Sequence, residues 1–317
     1  MKSKSGTARI VGAYAAQPTD LKDRHAYLDA ILAQPDIDGL EMSWGSPSWQ
    51  DDLPILQGIF GARAKAGRHV LTLIGAQAQQ VAQNGAFGLA SASEDGRRAA
   101  IDLVRSVHAD LSRFLDQGQH IVAVEIHSYP SVPAENAKES QKALRQSLAE
   151  ILDWEWGTTC VVVEHCDARN GDYPWQKGLL PLELEMEVVA ELAQSGRPVS
   201  MAVNWGRSAL EQRDADAPER HARTLKDAGL LAGVMFSGAA SKDSEYGPAW
   251  ADVHPPLNDD LPESAMTRKH IATLAELAGD TLLFDGVKVA IRPVNATVEQ
   301  RLRIVRNTLA AMPPRRI

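Results

Sequence analysis

Short runs rich in β-branched residues alternate with longer segments of helical periodicity along the whole 317-residue chain. Eight such runs read as strands: Arg9–Tyr14, Asp38–Met42, His69–Ile74, Ile121–His127, Thr159–Glu164, Pro198–Asn204, Leu231–Phe236 and Val287–Ile291. Strands that alternate with helices predict a parallel sheet, because the helix carries the chain back to the start of the next strand. Eight units at a spacing of about 40 residues predict a single (β/α)8 TIM barrel rather than an open Rossmann sheet.

The segments between the strands supply the predicted helices and two long loops. The helices are Asp20–Ala33, Asp51–Ala66, Asp95–Asp116, Ala134–Asp153, Pro181–Ser195, Ala217–Ala228, Ser264–Ala278 and Thr297–Met312. A stretch rich in Gln, Ala, Gly and Ser, residues 76–93, reads as a loop that holds at most a short helix. The connection Ser237–Pro262, after the seventh strand, is a candidate lid or, equally, a subunit contact, since loops longer than about 15 residues are usually functional or disordered. No Pro/Ser/Gly-rich linker divides the chain, so we expect one domain over 1–317.

The composition argues against several classes of function. The net charge is −8 with an isoelectric point of about 5.6, and no Lys/Arg cluster is large enough for a nucleic-acid-binding face. No apolar run reaches the roughly 18 residues of a membrane span, and none precedes Ile10 as in a secretion signal. The two cysteines, Cys160 and Cys166, match no zinc or redox motif. We therefore expect a cytoplasmic protein with reduced thiols, with no nucleic-acid or membrane partner. The oligomeric state is left open, a homo-oligomer included. Three basic residues of the last predicted helix read as a solvated face: Arg301, Arg303 and Arg306.

Polar residues follow the predicted strands at the end where a barrel of this type carries its chemistry. The catalytic candidates are two carboxylates and two basic side chains: Glu164, Glu41, His127 and Lys288. The substrate-binding candidates follow strand ends or lie in the long loop: Arg207, Arg292, Asn204, Trp44, Trp205 and His254. Because successive strand residues point to opposite faces, Glu164 is expected inward and His165 outward. A buried carboxylate needs a partner, and a neighbouring Arg, Lys or metal ion would neutralise Glu164.

Three short segments among these residues resemble motifs of the xylose-isomerase-like barrels, which include sugar isomerases, sugar epimerases and the endonuclease IV group. Gly39-Leu40-Glu41 resembles the second-strand motif, Val124–Ser128 the fourth-strand segment that contains a His, and Val162–His165 the fifth-strand segment. The resemblance covers most of the chain and is greatest to an uncharacterised bacterial branch of similar length. It implies a TIM barrel, and it makes Glu164 the counterpart of a Glu that binds a divalent metal in the isomerases and epimerases.

Other positions depart from the pattern that the resemblance implies. The family's sixth strand ends in Asp-x-x-His, where this chain has Asn204-Trp205-Gly206-Arg207. The seventh-strand His has no counterpart, and the eighth-strand Glu is replaced by Lys288. Asn is a weak ligand, and Arg and Lys do not bind metal ions at neutral pH. The family's metal site is thus predicted to be lost or rebuilt, which leaves either no cofactor or one divalent metal. A rebuilt site would draw on Glu164, His165, Asp167 or His254.

The pairing of strand-end carboxylates with arginine and lysine side chains predicts an enzyme that acts on a small anionic carbohydrate, such as a sugar phosphate, sugar acid or sulfonate. We expect isomerisation or epimerisation by proton transfer next to a carbonyl. Glu164 is the predicted general base, with Glu41 or His127 as its acid partner. Lys288 is the predicted cation that stabilises the enolate oxygen, a role that a metal would otherwise fill.

Three other functions remain open from the sequence. Lys288 is a candidate Schiff-base amine of a carbohydrate lyase or aldolase, because a buried lysine with a lowered pKa becomes nucleophilic. Glycoside hydrolysis needs two suitably spaced carboxylates and ranks lower, because the seventh strand ends at Ser237 without one. A non-catalytic sugar-binding or regulatory barrel that has lost its metal would bind a ligand without turnover.

Overall fold

Eight parallel strands close into a barrel in a computed structural model that describes residues 6–169 and 173–314. The strands follow one another round the barrel in sequence order, and the last pairs with the first. They are β1 (Ala8–Val11), β2 (Gly39–Ser43), β3 (Arg68–Thr72), β4 (His120–Ile126), β5 (Cys160–His165), β6 (Val199–Asn204), β7 (Leu231–Phe236) and β8 (Phe284–Val287). This topology confirms the predicted TIM barrel.

The α-helices of the described residues lie between the strands and after the last one. They are α1 (Leu21–Leu32), α2 (Trp49–Ala62), α3 (Ile74–Gln83), α4 (Glu94–Leu115), α5 (Ala137–Ile151), α6 (Leu182–Gln194), α7 (Trp205–Gln212), α8 (Ala217–Asp227), α9 (Arg268–Ala278) and α10 (Val298–Leu309). Asp20, Ser93 and Thr297 cap the first turns of α1, α4 and α10, so these helices begin close to where the pattern predicts. None of the described helices is both long enough and apolar enough to cross a membrane.

Residues 76–93 hold a short helix followed by a loop, since α3 runs from Ile74 to Gln83 and residues 84–93 form no helix or strand. Two elements differ from the sequence prediction. An unpredicted helix, α7, begins at the residue after β6, where Asn204 caps it. The eighth strand lies earlier in the chain than predicted. Pairing with β1 aligns Val287 with Val11, and the strand ends there. Lys288 therefore lies just beyond β8.

The chain divides into two compact units. The first holds Met1–Glu41 and Val203–Ile317, and the second holds Met42–Ala202. In the first unit β8 pairs with both β1 and β7, and β1 pairs with β2. In the second unit β4 pairs with both β3 and β5. Strand residues are mostly buried on both faces, as expected of parallel strands covered by helices.

The last helix of the first unit has a buried arginine where the sequence predicted a solvated face. Arg301 is 4 % exposed and its guanidinium donates to the backbone oxygens of Ala16 at 2.7 Å and of Val294. The prediction for Arg301 was wrong, because a guanidinium can be buried when its donors meet backbone carbonyls. Arg303 and Arg306 are exposed, as predicted.

The connection between β7 and α9 contains no helix or strand of its own. It is folded back on itself by two isolated bridges, Ala240 with Ser264 and Ser244 with Gly247. Trp250 and His254 adopt left-handed backbone conformations, at φ of 61° and 52°. Such conformations are uncommon for residues other than glycine and persist where the surroundings determine them. The lid role of this connection stays a prediction.

A buried histidine in β3 makes the stability of the second unit sensitive to acid. His69 packs on the ring of Phe60, and its Nε2 lies 3.1 Å from Gln119 Oε1. Burial lowers the pKa of His69 to about 4 from its ordinary value of 6.5, although the bond to Gln119 opposes the shift. The unfolded chain therefore takes up a proton near pH 6.5 that the folded protein accepts only near pH 4.

We expect His69→Gln to flatten the acid side of the stability curve. The stabilisation linked to His69 is present above pH 6.5 and is lost as the pH falls through 4, by about 3 kcal/mol in total. Between pH 7 and pH 4 the wild type should therefore lose about 3 kcal/mol more than the variant. Urea unfolding of both proteins at pH 7, 5.5 and 4 measures this difference, and parallel curves would contradict the assignment.

Candidate functional site

A buried hydrogen bond joins the ends of β4 and β5 in the second unit. His127 follows β4 directly, and its Nε2 lies 2.7 Å from Oε2 of Glu164, near the end of β5. Both side chains are 0 % exposed. At this separation a proton lies on or between the two atoms, as imidazolium and carboxylate or as imidazole and carboxylic acid. The pair can therefore exchange a proton without exposing either group to bulk water.

Helix α3 supplies the side chain that orients His127. Gln77 Nε2 donates to the backbone oxygen of His127 at 3.4 Å, which turns its Oε1 toward His127 Nδ1 at 3.0 Å. Because Oε1 only accepts, Nδ1 carries a hydrogen and Nε2 is the nitrogen that faces Glu164. Gln77 was missed by the sequence analysis because its segment reads as a loop. A glutamine-rich stretch directly after a strand end is the signal that could have found it.

His165 points away from Glu164, as strand alternation predicts. Its Nδ1 lies 2.7 Å from Glu185 Oε2 on α6, and Ser128 Oγ donates to the other oxygen of Glu185 at 2.5 Å. All three side chains are buried. This second Glu–His pair fastens α6 to the strands. Its contacts account for His165 structurally, and its metal-binding role stays a prediction.

Asp167 organises the loop that follows β5. Its Oδ2 accepts from the backbone N–H groups of Gln176 at 2.6 Å, Lys177 at 2.8 Å and Gly178 at 3.3 Å. The carboxylate is fully buried, so these charge-assisted bonds hold residues 176–178 against the strand end. This engagement accounts for Asp167 without a metal ion, and its candidate role as a ligand stays a prediction.

We expect Asp167→Asn to loosen this loop without unfolding the barrel. All three N–H groups donate to one oxygen of Asp167, and an amide oxygen in its place is a weaker acceptor than a carboxylate oxygen. Backbone exchange at 176–178 should become roughly 10- to 100-fold faster, the equivalent of about 1.5–3 kcal/mol of lost hydrogen bonding. Hydrogen–deuterium exchange measures the effect, with the amides of β4 as internal reference. Unchanged protection at 176–178 would contradict the role.

Trp44 is held by a polar contact rather than presented on a loop surface. Its indole Nε1 donates to Asp110 Oδ2 on α4 at 2.9 Å, and its ring lies 6.4 Å from that of Trp49. The side chain is 9 % exposed. This packing explains Trp44 within the second unit, and its substrate-binding role stays a prediction.

In the first unit, a buried ion pair connects the segment after β8 to β2. Lys288 Nζ donates to Glu41 Oε1 at 2.7 Å, and neither side chain is exposed. Tyr14 Oη donates to the same oxygen at 3.3 Å, and the ring centroid of Tyr14 lies 5.8 Å from Nζ. The structure thus joins two of the predicted catalytic residues, Glu41 and Lys288. It adds Tyr14, which the sequence analysis missed because nothing in the local pattern marks it.

The other oxygen of Glu41 is arranged differently. Glu41 Oε2 is buried and has no hydrogen-bond partner within the described residues. A Cβ added to Gly12 would lie 2.5 Å from this oxygen and 2.8 Å from Lys288 Cβ. The end of β1 therefore approaches the ion pair so closely that only glycine fits there.

Asn204 and Arg207 have structural partners in the same unit. Asn204 Oδ1 caps α7 by accepting from the backbone N–H of Arg207 at 3.4 Å, and it also accepts from Ser237 Oγ. Arg207 is 2 % exposed, and its Nε lies 3.5 Å from Asp252 Oδ2. His254 Nδ1 lies 3.3 Å from the other oxygen of Asp252. Asp252 lies in the long connection after β7, and the sequence analysis did not single it out. Its carboxylate balances the charge of the buried Arg207.

The remaining predicted binding residues lie against aromatic rings. Trp205 is 1 % exposed, and its ring lies 5.7 Å from that of His270 on α9. The guanidinium carbon of Arg292 lies 5.4 Å from the ring centroid of Tyr246. Burial raises the pKa of Tyr246, so its Oη stays neutral and accepts from the backbone N–H of Arg292 at 3.2 Å. Trp205 is therefore a core residue of its unit, whereas Arg292 keeps a half-buried charge.

The donor set that the family resemblance implies for a divalent metal does not fit this chain. Asn204 is engaged as a helix cap, Arg207 faces Asp252, and Lys288 brings a positive charge to the expected ligand position. A different set in the second unit places one ligand atom each of His127, Glu164 and Cys166 within 4.8 Å of one another. Such a set is chemically suited to zinc. The donor atoms are thus compatible with none or one divalent metal.

Solved structures show which class of fold this is. The protein aligns with a D-tagatose 3-epimerase-like protein at a TM-score of 0.62 and 14% sequence identity, over 96% of this chain and 97% of that chain. It aligns with the IolI protein, whose structure contains a bound zinc atom, at a TM-score of 0.63 and 12% identity over 96% of each chain. The chain therefore has the fold of the xylose-isomerase-like TIM barrels, as the resemblance predicted.

Sequence comparison defines the particular family. Residues 10–304 match the family described as Domain of unknown function (DUF4862), and the chain belongs to it. An uncharacterized protein of Salmonella typhimurium, STM3670, is 32% identical over 317 residues, which cover 98% of each chain.

Proposed function

We propose that the protein is a sugar isomerase or epimerase that transfers a proton at a carbon next to a carbonyl group. One observation carries the proposal: the buried His127–Glu164 hydrogen bond, with Gln77 fixing the ring nitrogen that faces the carboxylate. General acid–base catalysis needs a proton carrier whose geometry and protonation are set before the substrate binds. The fold of sugar epimerases supports the choice of reaction.

The pair supplies both partners of a proton transfer. Glu164 takes the proton from the substrate carbon, and the electrons of the C–H bond move to the carbonyl oxygen as an enediolate forms. His127 holds a proton beside Glu164 and stabilises the negative charge that develops. In an isomerisation the proton returns to the former carbonyl carbon, while the hydroxyl proton of the first carbon moves to the former carbonyl oxygen and a new carbonyl forms. In an epimerisation a proton is delivered to the other face of the same carbon and the original carbonyl forms again. Of the two acid partners that the sequence left open, Glu41 and His127, the proposal adopts His127, because Glu41 accepts from Lys288. The oxyanion role of Lys288 stays a prediction.

We infer that the substrate is a small carbohydrate with an anionic group, a phosphate, carboxylate or sulfonate. The charge argument rests mainly on Arg292, because Lys288 and Arg207 already meet Glu41 and Asp252. The half-buried guanidinium of Arg292 has the planar donor geometry that binds such groups in pairs of hydrogen bonds. This substrate class implies a role in carbohydrate metabolism. We propose a cytoplasmic location as well, which the two free cysteines support.

Proton exchange with solvent tests the reaction directly. The full chain is incubated in D₂O with aldoses, ketoses, their phosphates and aldonic acids, and the products are followed by NMR. We expect deuterium to enter at the carbon next to the carbonyl, together with an isomer or epimer. Folded protein that exchanges no member of the panel would contradict the proposal and favour a sugar-binding barrel without turnover.

A lyase or aldolase that uses Lys288 as a Schiff-base amine is the second candidate. The amine is fully buried, and the Glu41 carboxylate at 2.7 Å is placed to accept a proton from it. Borohydride reduction during incubation with the same sugars separates the two reactions. A sugar trapped on Lys288, seen as a mass increase on its peptide, would favour the Schiff base, whereas exchange without trapping favours proton transfer.

A further inference from the structure

The two oxygens of Glu41 have unequal roles in the first unit. Oε1 accepts from Lys288 Nζ at 2.7 Å and from Tyr14 Oη at 3.3 Å. Oε2 is buried and has no hydrogen-bond partner within the described part of the chain. A buried carboxylate oxygen without a donor is costly, so such atoms usually mark a place where a ligand or a water donates.

The backbone of Gly12 approaches Oε2 closely. A Cβ at position 12 would lie 2.5 Å from this oxygen, so a larger residue there would press on the carboxylate. Tyr14, on the short 3-10 turn Ala13–Ala16 that follows β1, lies beside Lys288 and is only half-buried. Of Tyr14, Glu41 and Lys288, Tyr14 alone is partly exposed to solvent.

Charge decides which donor suits this position. Glu41 accepts from Lys288 Nζ and from Tyr14 Oη, and a carboxylate oxygen accepts hydrogen bonds rather than donating them. The positive charge of Lys288 is balanced by Glu41 itself, so the pair as a whole does not attract an anion. An uncharged O–H group matches Oε2, whereas a phosphate or carboxylate group of a ligand would be repelled by it.

We propose that Glu41 Oε2 binds an uncharged hydroxyl group of an open-chain polyol or sugar, with Tyr14 as its cover. This inference rests on the proposed function, which supplies the carbohydrate. It assigns Glu41 a role in specificity: the hydroxylated end of the substrate binds at Glu41, and any anionic group binds elsewhere. The substrate is thereby oriented by the position of its charge.

Binding of xylitol, an inert open-chain polyol, to the full chain tests the site by calorimetry. The double variant Glu41→Gln/Lys288→Met removes the pair without leaving one buried charge alone, which keeps the barrel folded. The control Arg9→Met/Asp285→Asn removes another ion pair of the same unit, which joins β1 to β8 at 3.0 Å. We expect xylitol to bind wild type and control alike, and to bind at least 10-fold more weakly to the first variant.

Each other outcome overturns the proposal. Equal affinity in the Glu41/Lys288 double variant, no binding of xylitol to the wild type, or displacement of xylitol by inorganic phosphate would each do so. Xylitol binding at Glu41 without any sugar exchange would refute the reaction alone. Sugar exchange with unchanged binding in the double variant would refute the hydroxyl site alone.

Discussion

Glu164→Gln is expected to lower the rate of substrate proton exchange by about 10²- to 10⁴-fold, the usual contribution of a general acid–base group. The amide has nearly the shape of the carboxylate but cannot take a proton from carbon. His127 Nε2 can still accept from the amide NH₂, so its hydrogen bond to residue 164 survives. Deuterium incorporation by the most active sugar of the panel measures the rate, and thermal unfolding checks the fold.

Glu185→Gln is the matched control, because Glu185 also forms a buried pair with a histidine on β5. Its carboxylate accepts from both His165 and Ser128, and an amide has only one oxygen to offer. We expect a loss of about 1–3 kcal/mol in stability from the donor left without an acceptor, with the exchange rate within a few-fold of wild type. Glu164→Gln with near-normal exchange, or Glu185→Gln with an equal loss of rate, would refute the assignment of Glu164 as base.

Lys288→Met is expected to destabilise the folded protein by about 3–5 kcal/mol, because it leaves Glu41 buried without its cation. Both side chains are fully buried, so water cannot replace the lost charge. Tyr14 still donates to Oε1, but one neutral hydrogen bond does not offset the missing ammonium. Urea unfolding at pH 7 measures the change in free energy.

Adding Glu41→Gln to Lys288→Met should recover most of that loss. Replacing both members of a buried ion pair by neutral groups is often close to neutral for stability, whereas removing one member is not. The comparison therefore isolates the cost of an unpaired charge from the loss of lysine packing. Single and double variants of equal stability would show that the Glu41–Lys288 contact contributes through packing alone.

The pattern of the sequence was sufficient for the barrel and for the positions of its polar strand ends. Seven strands lie within a few residues of their prediction, because runs such as Val161–Val163 are buried on both faces and leave no helical periodicity. Alternation along β5 also placed Glu164 and His165 on opposite faces, as observed. The weakest prediction was β8, whose end is decided by pairing with β1 rather than by its own residues.

The partners of the polar residues were not predictable from the same pattern. Gln77 was hidden in a segment without clear periodicity, and Tyr14 and Asp252 lie in irregular segments that carry no signature. The prediction of an anionic substrate rested on three cations: Arg207, Lys288 and Arg292. The structure weakens it, because Lys288 pairs with Glu41 and Arg207 faces Asp252, and these partners could not be predicted from the sequence.

The sequence by itself determined the order of strands and helices, the closed barrel, and which side chains stand at the strand ends. Those properties follow from local periodicity and from the short-range rule that parallel strands need covering helices. Only the tertiary structure decided that Glu164 lies 2.7 Å from His127, that Glu41 is paired with Lys288, and that one oxygen of Glu41 has no hydrogen-bond partner within the described residues. Glu41 and Lys288 are far apart along the chain, and their contact depends on strand register, which no local pattern records.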